Sequence, residues 1–239
     1  MSIRNLILAA SLIVLVVASA TAQNANARSA IEYGNKLFSE AKYELAIREY
    51  RRVSENDLQA YSQSLYNIGV CHFELWRTDE AISFFKQAIT MRQGNYPIAS
   101  YALGVALEEE KRSSEAKSAY RESIQASRGE NALAIYRLGV LLANDGDLQT
   151  AAKHFKEASR LRGEHVPASH NNLGVMFARL GRLAEAENEF VIALRQSSNA
   201  VFGDAEHNLK LCRLLRATAQ QTVNFSPAWK GSVIQLREE

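Results

Sequence analysis

The chain has 239 residues, 47% of them hydrophobic and 23% charged, and its formal net charge at pH 7 is +2. Such near balance, with no tandem basic and aromatic patch, argues against nucleic acid or any other polyanionic partner. Two cysteines are too few for a disulfide-built scaffold, so the fold must rest on a buried apolar core. The first segment is a short stub carrying Arg4, then an apolar run over residues 6–18, then small residues with Ala-x-Ala patterns at Ala18-Ser19-Ala20 and Ala20-Thr21-Ala22. This predicts a secretory signal peptide over residues 1–22, cleaved near Thr21 or Gln23, and hence an exported protein, periplasmic or extracellular. The run is shorter than the ~20 residues a spanning helix needs. An uncleaved N-terminal membrane anchor is the alternative, so any membrane contact is expected only through residues 1–22. Residues 23–26 form a short polar leader.

A 35-residue beat follows. Gly34, Gly69, Gly104, Gly139 and Gly174 stand 35 positions apart. Twelve residues after each comes Ala46, Ala81, Ala116, Ala151 or Ala186, and four further on an aromatic ring, Tyr50, Phe85, Tyr120, Phe155 or Phe190. Three beyond that stand Val53, Ala88, Ser123, Ala158 and Ala193. A fixed period of this length is the signature of a repeat array.

Within one repeat, apolar positions fall at i, i+3, i+4 and i+7 around the glycine, as in Ile135, Leu138, Gly139 and Leu142. That is one stripe of an amphipathic helix. The Ala-x3-aromatic-x2-small set is a second helical stripe, and between the two lies a polar turn such as Asn144-Asp145-Gly146-Asp147 or Leu180-Gly181-Arg182. Each repeat is therefore a helical hairpin. Glycine in mid-helix costs about 1 kcal/mol against alanine. Its repeated use predicts a close approach of the second helix, with the aromatic ring filling the space beyond. A coiled coil would need a sustained 3.5-residue spacing without turn glycines.

Small-Gly at the eighth position, Ala at the twentieth, an aromatic at the twenty-fourth and Ala at the twenty-seventh resemble the tetratricopeptide repeat (TPR). The resemblance covers residues 27–201, with repeats beginning near Ala27, Ser62, Pro97, Ala132 and Pro167. It implies an all-α fold, a right-handed α-solenoid of helix-turn-helix hairpins. Family repeats usually run about 34 residues, so the extra residue is expected between the second helix and the next repeat. The family's Trp at position four is absent, its late proline is missing, and its turn glycine is replaced by Ala41, Trp76 and Lys111 in the first three repeats.

Beyond the repeats, residues 202–221 carry Leu209, Leu211, Leu214 and Leu215 against Lys210, Arg213 and Arg216, which predicts a capping helix over the last bare apolar face. The tail, residues 222–239, breaks the pattern with Pro227 and Gly231 yet keeps Phe225, Trp229, Val233, Ile234 and Leu236. Cys71 and Cys212 are separated by four repeats, and packed helices lie about 8–10 Å apart. A disulfide needs Cα atoms within ~7 Å, so both cysteines are expected as buried small residues.

No His-Glu-x-x-His, phosphate-cradling glycine loop or Gly-x-Ser-x-Gly elbow is present. His72 occupies a packing position. His165 and His170 flank Pro167 without a carboxylate or thiol at a supporting spacing. No catalytic residue, cofactor or metal is therefore expected, and a metal-binding or enzymatic accessory protein is the weakest reading.

In arrays of the resembled family, the first helix of each hairpin lines a concave groove. The resemblance implies a groove built from Ile31, Tyr66, Tyr101, Tyr136 and Asn171 at position five and Asn35, Val70, Val105, Val140 and Val175 at position nine. Phe38 and Phe73 join them at position twelve. Tyrosine suits such a surface because its ring is apolar and its hydroxyl reaches solvent or a peptide carbonyl. The family's carboxylate clamp finds its two asparagines in Asn35 and Asn67, but Ile31, Ile98 and Ala102 stand where it needs cations, so a chaperone C-terminal carboxylate is excluded. The expected function is a non-catalytic scaffold that binds a protein or peptide partner, in cell-envelope assembly. The alternative is a membrane-anchored periplasmic adaptor whose groove is filled by its own C-terminal tail.

Overall fold

The computed structural model describes residues 25–163, 166–196 and 203–221. The signal-peptide segment, the tail and His165 lie outside the described residues. Every described element is an α-helix. The chain is an all-α protein of the α-solenoid class, and it divides into two compact units, residues 1–116 and 117–239.

In the first unit, α1 (residues 25–39) and α2 (Tyr43–Tyr50) form one hairpin, and α3 (Leu58–Glu74) and α4 (Thr78–Met91) the next. They are followed by α5 (Pro97–Glu109). Helix α6 (Ser113–Ala126) begins at the end of this unit and runs into the second. There α7 (Ala132–Asn144) pairs with α8 (Leu148–Ala158), α9 (Val166–Arg179) pairs with α10 (Leu183–Gln196), and α11 (Gly203–Gln221) lies on α9 and α10.

The sequence explains the close pairing. A Cβ added at Gly69, Gly139 or Gly174 would stand 2.7, 3.0 or 2.6 Å from the ring of Phe85, Phe155 or Phe190, and one at Gly34 would meet Tyr50. Those rings are all but fully buried, and so are the alanines one turn before them. The glycine is the space into which the ring packs. Its helix-propensity cost is offset by dispersion contacts over the ring.

The turn inside each hairpin has one geometry. Backbone N–H groups of Lys42, Arg77, Arg112, Asp147 and Arg182 donate to the carbonyls of Leu37, His72, Leu107, Leu142 and Phe177, each five residues back, at 2.8–2.9 Å. This is the Schellman closure of a helix C-terminus, which places the residue before the donor in the left-handed region. Gly146 and Gly181 fill that place at φ 85° and 79°, whereas Ala41, Trp76 and Lys111 hold it at φ 56°, 59° and 57°. Two linkers between repeats are also left-handed, at Gln93-Gly94 and Arg128-Gly129. Side-chain caps start α3, α7 and α8, where Asp57, Asn131 and Asp147 accept from the N–H three residues on. Pro97 opens α5, where its missing N–H goes unneeded.

Cys71 and Cys212 are free, buried thiols. Burial pushes the Cys71 thiol up to about 12. Cys212 is raised for the same reason, and its Sγ donates to the Leu183 carbonyl at 3.2 Å.

Candidate functional site

Helices α1 and α3 present a polar concavity of about 400 Å³. Ile31 and Asn35 enter it one turn apart on α1, beside Arg28; Asp57, Gln59 and Gln63 enter it from the start of α3. Ile31 is buried against Ala27, Ala30, Val53 and Ala60, so an apolar floor lies under the amides. Asn35 is exposed and fixed by its neighbours: its Oδ1 accepts from the Tyr50 hydroxyl at 2.8 Å and from Asn67 Nδ2 at 3.3 Å. The two asparagines of the family clamp are thus brought together on this face. No cation stands with them at Ile31, Ile98 or Ala102.

The remaining position-five and position-nine residues divide by burial. Tyr66 is half-buried, with ring centroids of Phe85 and Tyr96 at 5.9 and 5.8 Å. Burial raises its phenol, and Tyr101 lies near enough to add to that rise. Tyr101, Val70, Val105, Phe38 and Phe73 are half-buried, Phe38 at 5.3 Å from the Tyr43 ring. In the second unit, Tyr136, Val140, Asn171 and Val175 are all buried, Tyr136 to 3% exposure.

The Tyr136 hydroxyl accepts from Asn172 Nδ2 at 3.1 Å, Asn172 Oδ1 accepts from Asn171 Nδ2 at 3.2 Å, and Asn171 Oδ1 accepts from Asn208 Nδ2 at 3.1 Å. This buried ladder links α7, α9 and α11. Buried polar groups persist only when they are paired, and here each amide serves its neighbour. Asn172 and Asn208 were not among the expected site residues. The Asn171-Asn172 doublet, directly before the run Leu173 to Ala178, was the available signal.

The histidines are placed apart. His72 is buried, stacks on Phe84 at 5.2 Å and 14°, and has no hydrogen-bond partner for either nitrogen. Burial lowers its pKa, helped by Arg77. His170 Nδ1 lies 2.7 Å from Glu189 Oε2. Among the described residues no cluster of three or more His, Cys, Asp or Glu is arranged to hold a metal ion.

Each unit is built of paired helices, and in the first unit α1 and α3 together carry a polar concavity. The chain belongs to the tetratricopeptide repeat family: the family model matches residues 32–96, 101–165 and 136–201, more than half of the chain. No curated protein sequence matches it. Solved structures share the fold. MamA of Desulfovibrio magneticus RS-1 is 22% identical, with 73% of this chain and 98% of that one covered at a TM-score of 0.59. PilF of Pseudomonas aeruginosa is 16% identical, with 84% and 90% covered at 0.68. YrrB, described as a TPR protein with an unusual peptide-binding site, is 20% identical, with 79% and 90% covered at 0.57.

Proposed function

We propose that the chain is an exported, non-catalytic scaffold that binds a protein partner as an extended peptide on the α1/α3 face. The observation that carries this is the chemistry of that concavity. The amides of Gln59 and Gln63 can each donate and accept, as a peptide backbone requires, and Asn35, whose Oδ1 is taken by Tyr50 and Asn67, can still donate from Nδ2, above an apolar floor at Ile31. Fold kinship with YrrB, a TPR protein with an unusual peptide-binding site, agrees with a peptide ligand. Non-catalytic use agrees with glycines spent on packing and turns, with His72 buried, and with His170 placed against Glu189. Export agrees with the apolar run and the Ala-x-Ala patterns before residue 23.

The test is a crosslinking pull-down from cell-envelope fractions with the wild type and with the combined Arg28→Ala, Gln59→Ala and Gln63→Ala variant. All three side chains are exposed, so the fold should persist. A protein captured by the wild type and lost in the variant is the expected result. Equal capture by both would remove the site from this face. Intact mass of the exported protein should place its N-terminus near Thr21 or Gln23; a retained Met1 would favour the anchored form.

A further inference from the structure

In the second unit a cavity of about 450 Å³ opens between α8 and the end of α9. Ala152, Phe177 and Leu180 give it an apolar wall, and Lys153, Lys156 and Arg182 stand around it. Arg182 is held in place. Its guanidinium carbon lies 4.3 Å from the centre of the Phe177 ring, and its Nε and Nη2 donate to the Glu185 carboxylate at 2.6 and 2.5 Å. Its charge is therefore partly answered. The lysines are held more loosely: among the described residues neither is in an ion pair and both are exposed, although Lys156 also acts on the Glu185 carboxylate. Asp147, the carboxylate near Lys153, is occupied as the cap of α8.

The site thus combines an apolar wall with a surplus of positive charge, in a volume within the range of known ligand pockets, roughly 300–1,000 Å³. An uncharged apolar ligand would leave the cations unused, and an inorganic anion would leave the wall bare. Charge complementarity and size together select one kind of occupant.

We propose that this cavity is a second binding site, which takes a short acidic peptide segment carrying one large apolar side chain. The apolar side chain lies against Phe177 and Leu180, and flanking carboxylates meet Lys153 and Lys156 as charge-assisted hydrogen bonds. Anchors that fill a well-packed pocket carry most of the affinity of such interfaces. The proposal does not depend on the α1/α3 reading.

The test is fluorescence anisotropy of the full mature chain with a labelled acetyl-Asp-Glu-Trp-Glu-Asp peptide, alongside a peptide with alanine in place of tryptophan. The Lys153→Ala, Lys156→Ala double variant should bind the tryptophan peptide at least about tenfold more weakly, with unchanged circular dichroism. Lys210→Ala, on α11, should bind as the wild type does. Affinity for the tryptophan peptide should also fall as salt is raised, because exposed charges are screened. No binding by the wild type, or equal binding by the double variant, would overturn the proposal. Equal binding of the alanine peptide would reduce the site to unspecific charge attraction and overturn it as well. Phosphatidylglycerol vesicles form a further arm: lysine-dependent vesicle binding without peptide binding would assign the cations to a lipid surface instead.

Discussion

Gly174 and Gly139 occupy the same place in successive repeats, yet the rings above them leave different room. A Cβ at Gly174 would stand 2.6, 2.8 and 3.0 Å from three atoms of the Phe190 ring; at Gly139 the nearest Phe155 atoms are at 3.0, 3.1 and 3.3 Å. Phe190 is fully buried and cannot swing aside. Alanine gains about 1 kcal/mol of helix propensity, and overpacking costs about 1–3 kcal/mol. Gly174→Ala should therefore lose up to about 2 kcal/mol in urea denaturation, while Gly139→Ala stays close to the wild type. Equal losses would mean that ring clearance does not set the cost. His72 gives a second residue-scale prediction. Burial first, and Arg77 next, hold its pKa below the ordinary 6.5, while Glu80 and Glu44 oppose and Arg51 assists. Above pH 6.5 the imidazole is neutral in both states and contributes no pH dependence. As pH falls below 6.5 the unfolded chain takes a proton that the folded site resists, so stability declines until the folded pKa is passed. His72→Leu should flatten the fall in urea midpoint between pH 6.5 and 5; an unchanged slope would assign the loss to other groups, His154 among them, which burial also lowers.

At the scale of elements, the five hairpin turns share one hydrogen-bond closure but not one residue type. Trp76 sits in the left-handed place at φ 59° with 84% of its surface exposed, where the later repeats use glycine. An L-residue there costs about 1–2 kcal/mol, against a glycine's added freedom in the unfolded chain of about 0.4–1 kcal/mol. Trp76→Gly should raise stability by up to about 1 kcal/mol by thermal or urea denaturation, and a loss would show that the indole has a folded-state role. The turns were legible in the sequence because Gly146 and Gly181 announce them, and the period carries the same place back to Ala41, Trp76 and Lys111. The hairpin packing was legible for the same reason: glycine, alanine and ring recur at offsets that a helix converts into one face. The polar ladder was not. Tyr136 meets Asn172 at a separation of 36 and Asn171 meets Asn208 at 37, so neither pair falls on the 35-residue beat. The position-five tyrosines also share a register without sharing an environment. Tyr66 is half-buried among rings, whereas Tyr136 is buried because an amide from the next hairpin accompanies its hydroxyl inward. The α1/α3 concavity was half legible: Ile31 and Asn35 lie on the expected face of α1, but Gln59 belongs to a linker-proximal turn that the repeat pattern leaves undefined.

At the scale of the whole molecule, an open array must finish somewhere, and its last apolar face has to be covered. Helix α11 does this with Ala205, Leu209 and Cys212, all buried, and with Arg213 and Arg216, which pair with Glu187 on α10 and hold its carboxyl below the usual range. The ion pairs are mostly exposed on the arginine side and count for little in stability. Asn208 is different, being 2% exposed and the end of the ladder through Asn171 and Asn172 to Tyr136. Asn208→Leu keeps the apolar area of α11 but removes the donor to Asn171 Oδ1, leaving a buried acceptor unpaired at a cost of about 1–3 kcal/mol. In a repeat array each hairpin is stabilised chiefly by its neighbours, so the damage should stay local. Amide hydrogen exchange should quicken across α9, α10 and α11 and remain as in the wild type across α1 to α4. Uniform quickening along the chain would mean that all the hairpins unfold as one cooperative body. Unchanged exchange everywhere would mean that α11 is held by its apolar face alone and that the ladder serves to orient α9 without securing the end of the array.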